Sequence, residues 1–441
     1  MNYYFKLFLL ASGVAIVNII IYIFFLQFQI VHNSSYVPQQ LVTVVIMLIA
    51  IPIQFLILLL IAFQFKRKKE ALYITSGLLI ITCFLILWFT SQEERATFSN
   101  ELVYNKTEKF DYQQGISTPE GYPIKLLSES IFDVAVKGDQ NPHTLLETDK
   151  VYSIQWGLGD TTFKSSASGD IVLPDRLKLY WYSYLENKYY GLDSKIDKNK
   201  IATYFRKGVL WDINGTLTNA ESVKKTYDKL FAGIAPGGEV VLFISGFDHT
   251  KEIQVFEGKE ISVSKFKDYD TVTEEGNLKV LTDTCTCADN VQYRKIVHNG
   301  KAIPYGIWTQ KYRQKFNWKL AVNSFGQTKS ALNFYFYNGE RSTFYNEDVL
   351  KINYQKQVLP EIIKFTFIKN NKKYEAFLQF EEDELFQNFK NLTKINANEP
   401  VSIVLNIDDN LDKASVQLRS KNELFDLKKM KKVRIYSKTG S

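Results

Sequence analysis

Three long apolar runs open the chain and predict three membrane-spanning helices. They cover residues 7–31, 41–63 and 72–89 and contain no charged side chain. Each run approaches or exceeds the ~20 residues needed to cross a hydrocarbon core about 30 Å thick. A cleaved signal peptide does not explain the pattern, because the first run is too long and two more follow it. Residues 1–91 are therefore predicted to form a three-helix transmembrane anchor.

The short connections between these runs predict the orientation of the anchor. Four consecutive cations join the second and third runs: Lys66, Arg67, Lys68 and Lys69. Residues 32–40, between the first two runs, contain no Lys or Arg. Because short basic loops stay in the cytoplasm, we expect a multi-pass protein of the inner (cytoplasmic) membrane, with a cytoplasmic N-terminus and residues 92–441 in the periplasm. A lipid-headgroup or regulatory role for the basic loop is the alternative.

Amide side chains interrupt the runs at Asn18, Gln27 and Gln54. Such groups can bridge neighbouring helices or line a polar pathway. No Asp, Glu or Arg lies within the runs, and transport routes through a membrane usually contain such groups. Helix packing is therefore favoured over a role in transport.

Further along, aromatic and β-branched residues alternate with polar ones, which is typical of strands. Clear strand predictions are residues 152–158, 177–181 and 189–192, the last two joined by a turn. Ile201, Tyr204 and Phe205 instead follow helical spacing. This helix has Asp197 as a predicted N-cap and Gly208 as a predicted C-cap.

An internal repeat is predicted in this strand-rich part. Residues 173–205 and 359–389 each contain a proline-led strand, a Lys/Asn-rich turn, a return strand with Tyr and a short amphipathic helix. Flanking segments also pair, 152–158 with 316–322 and 239–244 with 400–405. Chance similarity between strand-rich stretches is the alternative.

The predicted fold is a membrane-anchored α+β protein. Its three transmembrane helices precede two tandem lobes rich in antiparallel sheet, each with a short helix. The predicted boundaries are a linker at 92–129, a first lobe at 130–270, a connecting segment at 271–312 and a second, repeat-like lobe at 313–441.

Two elements of the first copy carry a family resemblance. One is Leu173-Pro174 with LYWYS at 179–183, Glu186 and KYY at 188–190; the other is GIAPGG at 233–238. Over roughly residues 130–265 the chain resembles the bacterial family catalogued as domain of unknown function 2931. The resemblance implies an extracytoplasmic protein of a Gram-negative bacterium, with toxin-neutralising immunity proteins among its relatives, and it implies no biochemical activity. Relatives are often lipoproteins, whereas here a multi-span anchor replaces the lipid.

Composition and charge narrow the function classes. With 46% apolar and 23% charged residues, the chain is neither wholly membrane-embedded nor disordered. Its net charge is +7, but residues 1–91 hold five cations and one anion, which leaves only +3 for the other 350 residues. A nucleic-acid platform needs a basic groove, so no nucleic-acid partner is expected.

Histidines and cysteines give little support to catalysis or metal binding. The four histidines, at positions 32, 143, 249 and 298, do not have metal-ligand spacing, and none accompanies a nucleophile motif. Cys285 and Cys287 are one residue apart, so a disulfide between them would be strained and easily reduced. We expect no cofactor, no metal site and no catalytic residue.

Two loop motifs are also better explained by backbone turns. The glycines at 233–238 lack the Gly-Lys-Ser/Thr of a phosphate loop and precede a strand, so they are predicted to supply positive φ angles. Residues 212–216 (DINGT) begin like a calcium loop, but the ligand series then fails, which favours an Asn-Gly turn.

The remaining candidate site lies around the 177–192 strands. Trp181, Tyr182, Glu186, Tyr189 and Tyr190 are the predicted ligand- or protein-binding residues, because an outward aromatic row suits recognition. Core packing is the alternative for these rings. Glu186, Asp193 and Asp197 would be the acid–base pair of a glycan hydrolase only if two of them converged.

The predicted function is that of a non-enzymatic binding protein with a protein partner. A toxin-neutralising role is its most concrete version. The alternatives are an envelope enzyme acting on glycan or peptide and a membrane-linked sensor or scaffold. The partners expected are the lipid bilayer and a protein, with the oligomeric state left open.

Overall fold

The structure is a computed structural model. It describes residues 3–29, 39–64, 69–135, 150–151, 156–158, 161–163, 170–212, 222–262, 302–323, 331–345, 347–350, 352–370, 372–408, 410–411, 413–421 and 423–437. The described chain divides into two compact units, a helical one within Met1–Glu108 and a β-rich one within Lys109–Ala135 and Pro142–Ser441.

Four helices are described in the helical unit: α1 Tyr3–Gln29, α2 Gln39–Gln64, α3 Lys69–Thr90 and α4 Gln92–Lys106. Among the described residues, two stretches are long and apolar enough to cross a membrane, Tyr3–Phe25 and Lys69–Phe89. In α2 the corresponding apolar stretch is the shorter Pro52–Gln64. The prediction of apolar N-terminal helices is therefore confirmed for two possible spans and not for three.

One predicted helix contact is present in this unit. The Asn18 amide on α1 donates to Gln54 Oε1 on α2 at 2.7 Å, and Asn18 is fully buried. Because a hydrogen bond between helices satisfies polar groups where water is absent, the pair acts as the predicted packing device. Gln27 has no described side-chain environment.

The predicted linker at 92–129 is wrong for much of its length. Residues 92–106 form α4, in which Arg95 lies 3.6 Å from the centroid of the Trp88 ring and donates to the Trp88 carbonyl at 2.6 Å. Strands begin soon afterwards. The stretch lacks a strong apolar pattern, but its Gln, Glu, Arg, Leu and Lys residues are good helix formers.

The first half of the β-rich unit has fifteen described strands and one helix. The strands are β1 Lys109–Phe110, β2 Gln113–Ser117, β3 Ile124–Leu126, β4 Ile131–Asp133, β5 Lys150–Val151, β6 Thr161–Phe163, β7 Ile171–Val172, β8 Arg176–Ser183, β9 Lys188–Lys195, β10 Val209–Asp212, β11 Ser222–Lys225, β12 Lys229–Ala235, β13 Glu239–Gly246, β14 His249–Glu257 and β15 Lys259–Glu260. Helix α5 is Lys198–Lys207.

The second half has ten described strands and two α-helices. The strands are β16 Lys315–Asn323, β17 Ala331–Phe336, β18 Arg341–Tyr345, β19 Gln355–Val358, β20 Pro360–Lys369, β21 Lys372–Gln379, β22 Val401–Ile407, β23 Ala414–Arg419, β24 Leu424–Asp426 and β25 Lys432–Ser437. The helices are α6 Glu347–Leu350 and α7 Glu382–Leu392, and a π-helical turn spans Ile307–Lys311.

One ten-stranded sheet runs through both halves in the order β25-β21-β20-β17-β18-β14-β13-β12-β2-β6. The halves meet where β14 pairs with β18, at Thr250 and Arg341. A second sheet in the first half has the order β15-β9-β8-β3-β5, and one in the second half has the order β19-β16-β22-β23-β24. The β-rich part of the fold prediction is confirmed, whereas the division into two lobes stays a prediction.

Strand pairing follows the same order in both halves. In the first half β2 pairs in parallel with β12, which is followed by antiparallel β13 and β14. In the second half β16 pairs in parallel with β22, which is followed by antiparallel β23 and β24. The hairpins β8–β9 and β20–β21 are each followed by a helix, α5 and α7.

The strand order differs from what was predicted for the segments that flank the two copies of the repeat. Residues 316–322 lie in β16, which occupies the position of β2 and not of residues 152–158. Residues 239–244 lie in β13, whereas 401–405 lie in β22, which occupies the position of β12. Residues 156 and 157 lie in a turn, and 152–155 fall outside the described residues. The match of 239–244 with 400–405 therefore does not follow the strand order, and the match of 152–158 with 316–322 lies largely outside the described residues. The hairpin-helix segments hold the same place in both strand orders.

Each half has its own apolar core. One core gathers Leu177, Leu179 and Trp181 of β8 against the inner residues of β12 and β13, and the other gathers Trp318, Phe367 and the residues of α7. The helix termini match the sequence signals, because Asp197 Oδ1 accepts from the Lys200 amide at 3.0 Å and Gly208 has φ 64°. Phe205 and Phe389, paired in the predicted repeat, are both buried.

Candidate functional site

The predicted aromatic residues lie on the β8–β9 hairpin, where Trp181 is opposite Tyr190 and Tyr182 is opposite Tyr189. The Trp181 and Tyr190 rings are stacked with centroids 5.5 Å apart. Their exposed fractions are 0% and 6%, and that of Tyr182 is 3%. These three rings therefore pack inside the protein instead of forming an outward row, and a ligand-binding role for them stays a prediction.

Glu186, in the hairpin turn, accepts hydrogen bonds from several side-chain and backbone donors. Its Oε2 accepts from Ser183 Oγ at 2.6 Å, and its Oε1 accepts from the Tyr190 hydroxyl at 2.8 Å and from the Gly237 amide at 3.0 Å. The Tyr305 side chain also hydrogen-bonds this carboxylate. Burial and the carboxylate together raise the pKa of Tyr190, so its hydroxyl stays a donor. Glu186 thus ties the hairpin turn to the turn at Gly237.

The turn that receives Glu186 is the predicted glycine turn. Pro236–Gly238 form a tight turn between β12 and β13, in which Gly237 and Gly238 have φ angles of 81° and 79°. A side chain is strained at these angles. A Cβ on Gly237 would also lie 2.9 Å from the Tyr305 ring. The prediction of positive φ is confirmed for Gly237 and Gly238, whereas Gly233 lies within strand β12 and does not have a positive φ.

The three carboxylates near this hairpin do not share a site. Asp193 forms a bidentate pair with Arg176, in which Nη2 donates to Oδ2 at 2.7 Å. Asp197 caps α5, whereas Glu186 is held at the opposite end of β9 by its own donors. The convergent carboxylates that a glycan hydrolase requires are therefore not formed by these residues.

Several predicted features lie outside the described residues. They are Lys66, Arg67, Lys68, Cys285, Cys287, residues 213–216 and the histidines at 32, 143 and 298. Lys69 is the first residue of α3 and is exposed. No group of three or more metal-ligating side chains occurs among the described residues.

His249 begins β14 and is half-buried. Burial, with a smaller contribution from the Lys251 charge, lowers its pKa from 6.5 to about 4, even though a hydrogen bond to the Leu210 backbone and the Asp248 charge act in the opposite direction. Its Nε2 is shielded from solvent and has no hydrogen-bond partner within the described chain. The folded protein therefore favours neutral His249.

Lowering the pH from 7 to 5 is expected to destabilise the β-rich unit through His249 by about 1–2 kcal/mol. The folded pKa is below the unfolded one, so this stability is present above pH 6.5 and is lost as the pH falls towards 4. Urea unfolding of the wild type and of His249→Gln at both pH values measures it. An unchanged pH dependence in the variant would contradict the assignment.

A surface that the sequence reasoning missed crosses the second half of the ten-stranded sheet. We call it the cation–aromatic face and define it by Arg341, Tyr335, Lys364, Phe377, Lys432 and Arg434. Register places Lys364 opposite Phe377 and Phe377 opposite Arg434, so these side chains share one side of the sheet. Arg341 is likewise opposite Tyr335. The core side of the same strands holds Ile363, Phe365 and Phe367.

Cations and rings alternate across this face. The Tyr335 centroid lies 5.1 Å from Arg341 Cζ and 4.8 Å from Lys364 Nζ. The Phe377 centroid lies 5.9 Å from Lys364 Nζ and 5.1 Å from Lys432 Nζ. Each such contact stabilises the arrangement by about 0.5–1 kcal/mol when exposed. Because of these contacts, the long basic side chains lie along the surface of the sheet, over the rings, instead of extending into water.

Glu375 lies on the same side of the sheet as these cations, and its carboxylate is buried. It accepts a hydrogen bond from the Tyr436 hydroxyl. Burial and this bond raise the pKa of Tyr436 to about 12. The exposed charged side chains on this side of β25, Lys432 and Arg434, are cationic. The signal in the sequence was the alternation of Lys364, Thr366 and Ile368 along one strand. Strand β21 lies between that strand and β25, so only the sheet order brings these residues near the basic segment of β25.

The fold and these surfaces define a β-rich protein with an apolar helical region at its N-terminal end. Residues 98–306 match the model of the family described as Protein of unknown function (DUF2931). The predicted resemblance to this family is thereby confirmed, and the match extends beyond residues 130–265 on both sides. A search of the curated proteins and one of the solved structures found no match.

Proposed function

We propose that the protein is a membrane-anchored, non-enzymatic interaction protein. The observation that carries the proposal is the cation–aromatic face, because clustered Tyr, Phe, Lys and Arg side chains on a sheet offer both ring contacts and charge to a partner. Glu186, the strongest candidate for acid–base chemistry, has its carboxylate occupied by structural donors. A toxin-neutralising role remains the most concrete version of the proposal.

The anchor in this proposal has three spans. Helix α2 has 26 residues and contains no charged side chain, which supports its inclusion beside α1 and α3. The basic connection before α3 supports a cytoplasmic N-terminus in an inner membrane, and three spans then carry the β-rich unit into the periplasm of a Gram-negative bacterium.

The β-rich unit in this proposal is a duplicated fold. Support comes from two pairs of matching strand orders, each comparing the first half with the second. The order β6-β2-β12-β13-β14 in the first half corresponds to β19-β16-β22-β23-β24 in the second. The order β5-β3-β8-β9-β15 in the first half corresponds to β18-β17-β20-β21-β25 in the second. The family match ends at residue 306, so the second copy is divergent. Two copies with one fold and different surface residues allow one copy to carry the binding surface.

Reversal of charge at Lys364 is expected to weaken partner capture at least about ten-fold, because an acidic partner would be repelled. Tagged full-length wild type and Lys364→Glu are solubilised from native membranes, and the co-purified proteins are quantified by mass spectrometry. The proposal predicts a specific loss of proteins with acidic surfaces.

Lys356→Glu is the matched control, since Lys356 is an exposed strand lysine on β19, in another sheet. It should retain capture, and both variants should keep the wild-type melting temperature within a few degrees. Equal capture by all three proteins would contradict a role for this face, and turnover of a glycan or peptide by the purified protein would replace the proposal with an enzyme.

A further inference from the structure

Strand β25 is an open edge of the ten-stranded sheet. It pairs with β21 over Lys432 to Ser437, and no other described strand pairs with it. An edge strand presents unpaired backbone N–H and C=O groups, which form a ready template for another extended chain. The edge is six residues long, about the length of an average strand.

This edge is also strongly basic. Exposed cations precede or lie on β25 at Lys428, Lys429, Lys431, Lys432 and Arg434. No acidic residue follows Asp426 in the sequence. The Lys428 and Lys429 amides donate to Glu384 at 3.0 and 2.8 Å, so the segment that leads into β25 is fixed at the start of α7. The cations are thus presented in a defined place.

The charges have two physical explanations. Lysines on an edge strand can simply prevent pairing between copies of the same protein, because like charges repel. They can equally select a partner strand of opposite charge. Side chains on neighbouring strands meet every second residue, so Lys432 and Arg434 would face acidic residues spaced two apart in an added strand.

We propose that the open edge of β25 binds an extended acidic segment of a partner protein by strand addition. The backbone of the segment pairs with β25, and Asp or Glu at alternate positions contact Lys432 and Arg434. This inference rests on the proposed interaction function, because β25 borders the cation–aromatic face. Anionic lipid would satisfy the charges but not the unpaired backbone groups, which favours a peptide.

The test uses the full-length protein in detergent micelles and fluorescein-labelled peptides of about ten residues. The binding probe alternates Glu and Thr. One control peptide has the same composition with all Glu in a single block, another carries Pro in place of two central Thr, and a third alternates Lys and Thr. Binding is followed by fluorescence anisotropy over a range of salt concentrations, and vesicles of phosphatidylglycerol are tested in parallel.

The alternating acidic peptide should bind more tightly than all three controls, and binding should weaken as salt is added. The double variant Lys432→Gln/Arg434→Gln should bind it about three- to ten-fold more weakly, whereas the matched double variant Lys315→Gln/Lys356→Gln should bind it unchanged. All four side chains are exposed, so the variants should fold.

Three results would overturn the inference. Equal binding of the block and proline peptides would show charge attraction without strand pairing. Vesicle binding without peptide binding would assign the cations to lipid, and self-association of the Gln variant without peptide binding would leave only the edge-blocking role. If Lys364→Glu weakens partner capture at least about ten-fold while one of these results is obtained, strand addition is excluded and the proposed function stands.

Discussion

Replacement of Trp181 by alanine is expected to lower the free energy of unfolding of the β-rich unit by about 3–5 kcal/mol. The side chain is fully buried, stacks on Tyr190 and lies against Gly258 with no room for a Cβ there. A close-packed site of this kind cannot collapse to fill the cavity. Urea unfolding of the full-length protein in detergent, followed by circular dichroism, measures the loss.

Trp211→Ala is the matched control for this prediction. Trp211 is half-buried and contacts Phe247 with ring centroids 5.2 Å apart, so its removal should have a much smaller effect. Trp181→Phe should also lose less than Trp181→Ala, because a ring remains against Tyr190. A small loss for Trp181→Ala, or weaker partner capture at unchanged stability, would restore the sequence-based prediction of a binding role.

Replacement of Glu186 by alanine should lower the free energy of unfolding by about 2–4 kcal/mol, because it leaves two buried donors and one half-buried donor without an acceptor. Those donors are Ser183 Oγ, the Tyr190 hydroxyl and the Gly237 amide. The change should also loosen the turn at Pro236–Gly238. Urea unfolding gives the energy, and amide hydrogen exchange at Gly237 reports on the turn.

Glu186→Gln separates the contributions of the two carboxylate oxygens. It keeps an amide oxygen for Tyr190 and Gly237 but places an NH₂ group near Ser183, so about half of the loss is expected. Asp193→Ala is the matched control, since its partner Arg176 is exposed, and exposed pairs contribute little. Equal stability of wild type and Glu186→Ala would refute the structural role and favour recognition.

Local signals in the sequence were sufficient for the β8–β9 hairpin and α5. Alternation predicted the strand at 177–181, and Asp197 and Gly208 marked both ends of the helix. Only the structure places Trp181 in the core beside Leu177 and Leu179 instead of in an outward row. Tyr182 did not follow the alternation, because Tyr184 and Tyr189 cover it on the other side of the hairpin. The hydrophobic and polar pattern identifies a strand, but it does not show which residues will cover the side of the strand that faces away from the core.

The stretch around Trp156 shows where pattern was misleading. Its alternation predicted a strand through residue 158, but Trp156 and Gly157 lie in a turn. Trp156 Nε1 donates to the Asn338 carbonyl at 3.1 Å, and its ring contacts Phe243 and Trp308. Contacts with residues far along the chain therefore decided this conformation over local strand propensity.

The sequence by itself determined the apolar N-terminal helices, the strand-rich remainder, the glycine turn and the family resemblance, because these depend on neighbouring residues. Only the tertiary structure decided that Glu186 is bound by donors as distant as Gly237 and that one sheet joins both halves through β14 and β18. It also decided that Lys364, Phe377 and Arg434 share one surface. Long-range strand register sets such juxtapositions, and the one-dimensional pattern of residues does not encode which strand becomes the neighbour of another.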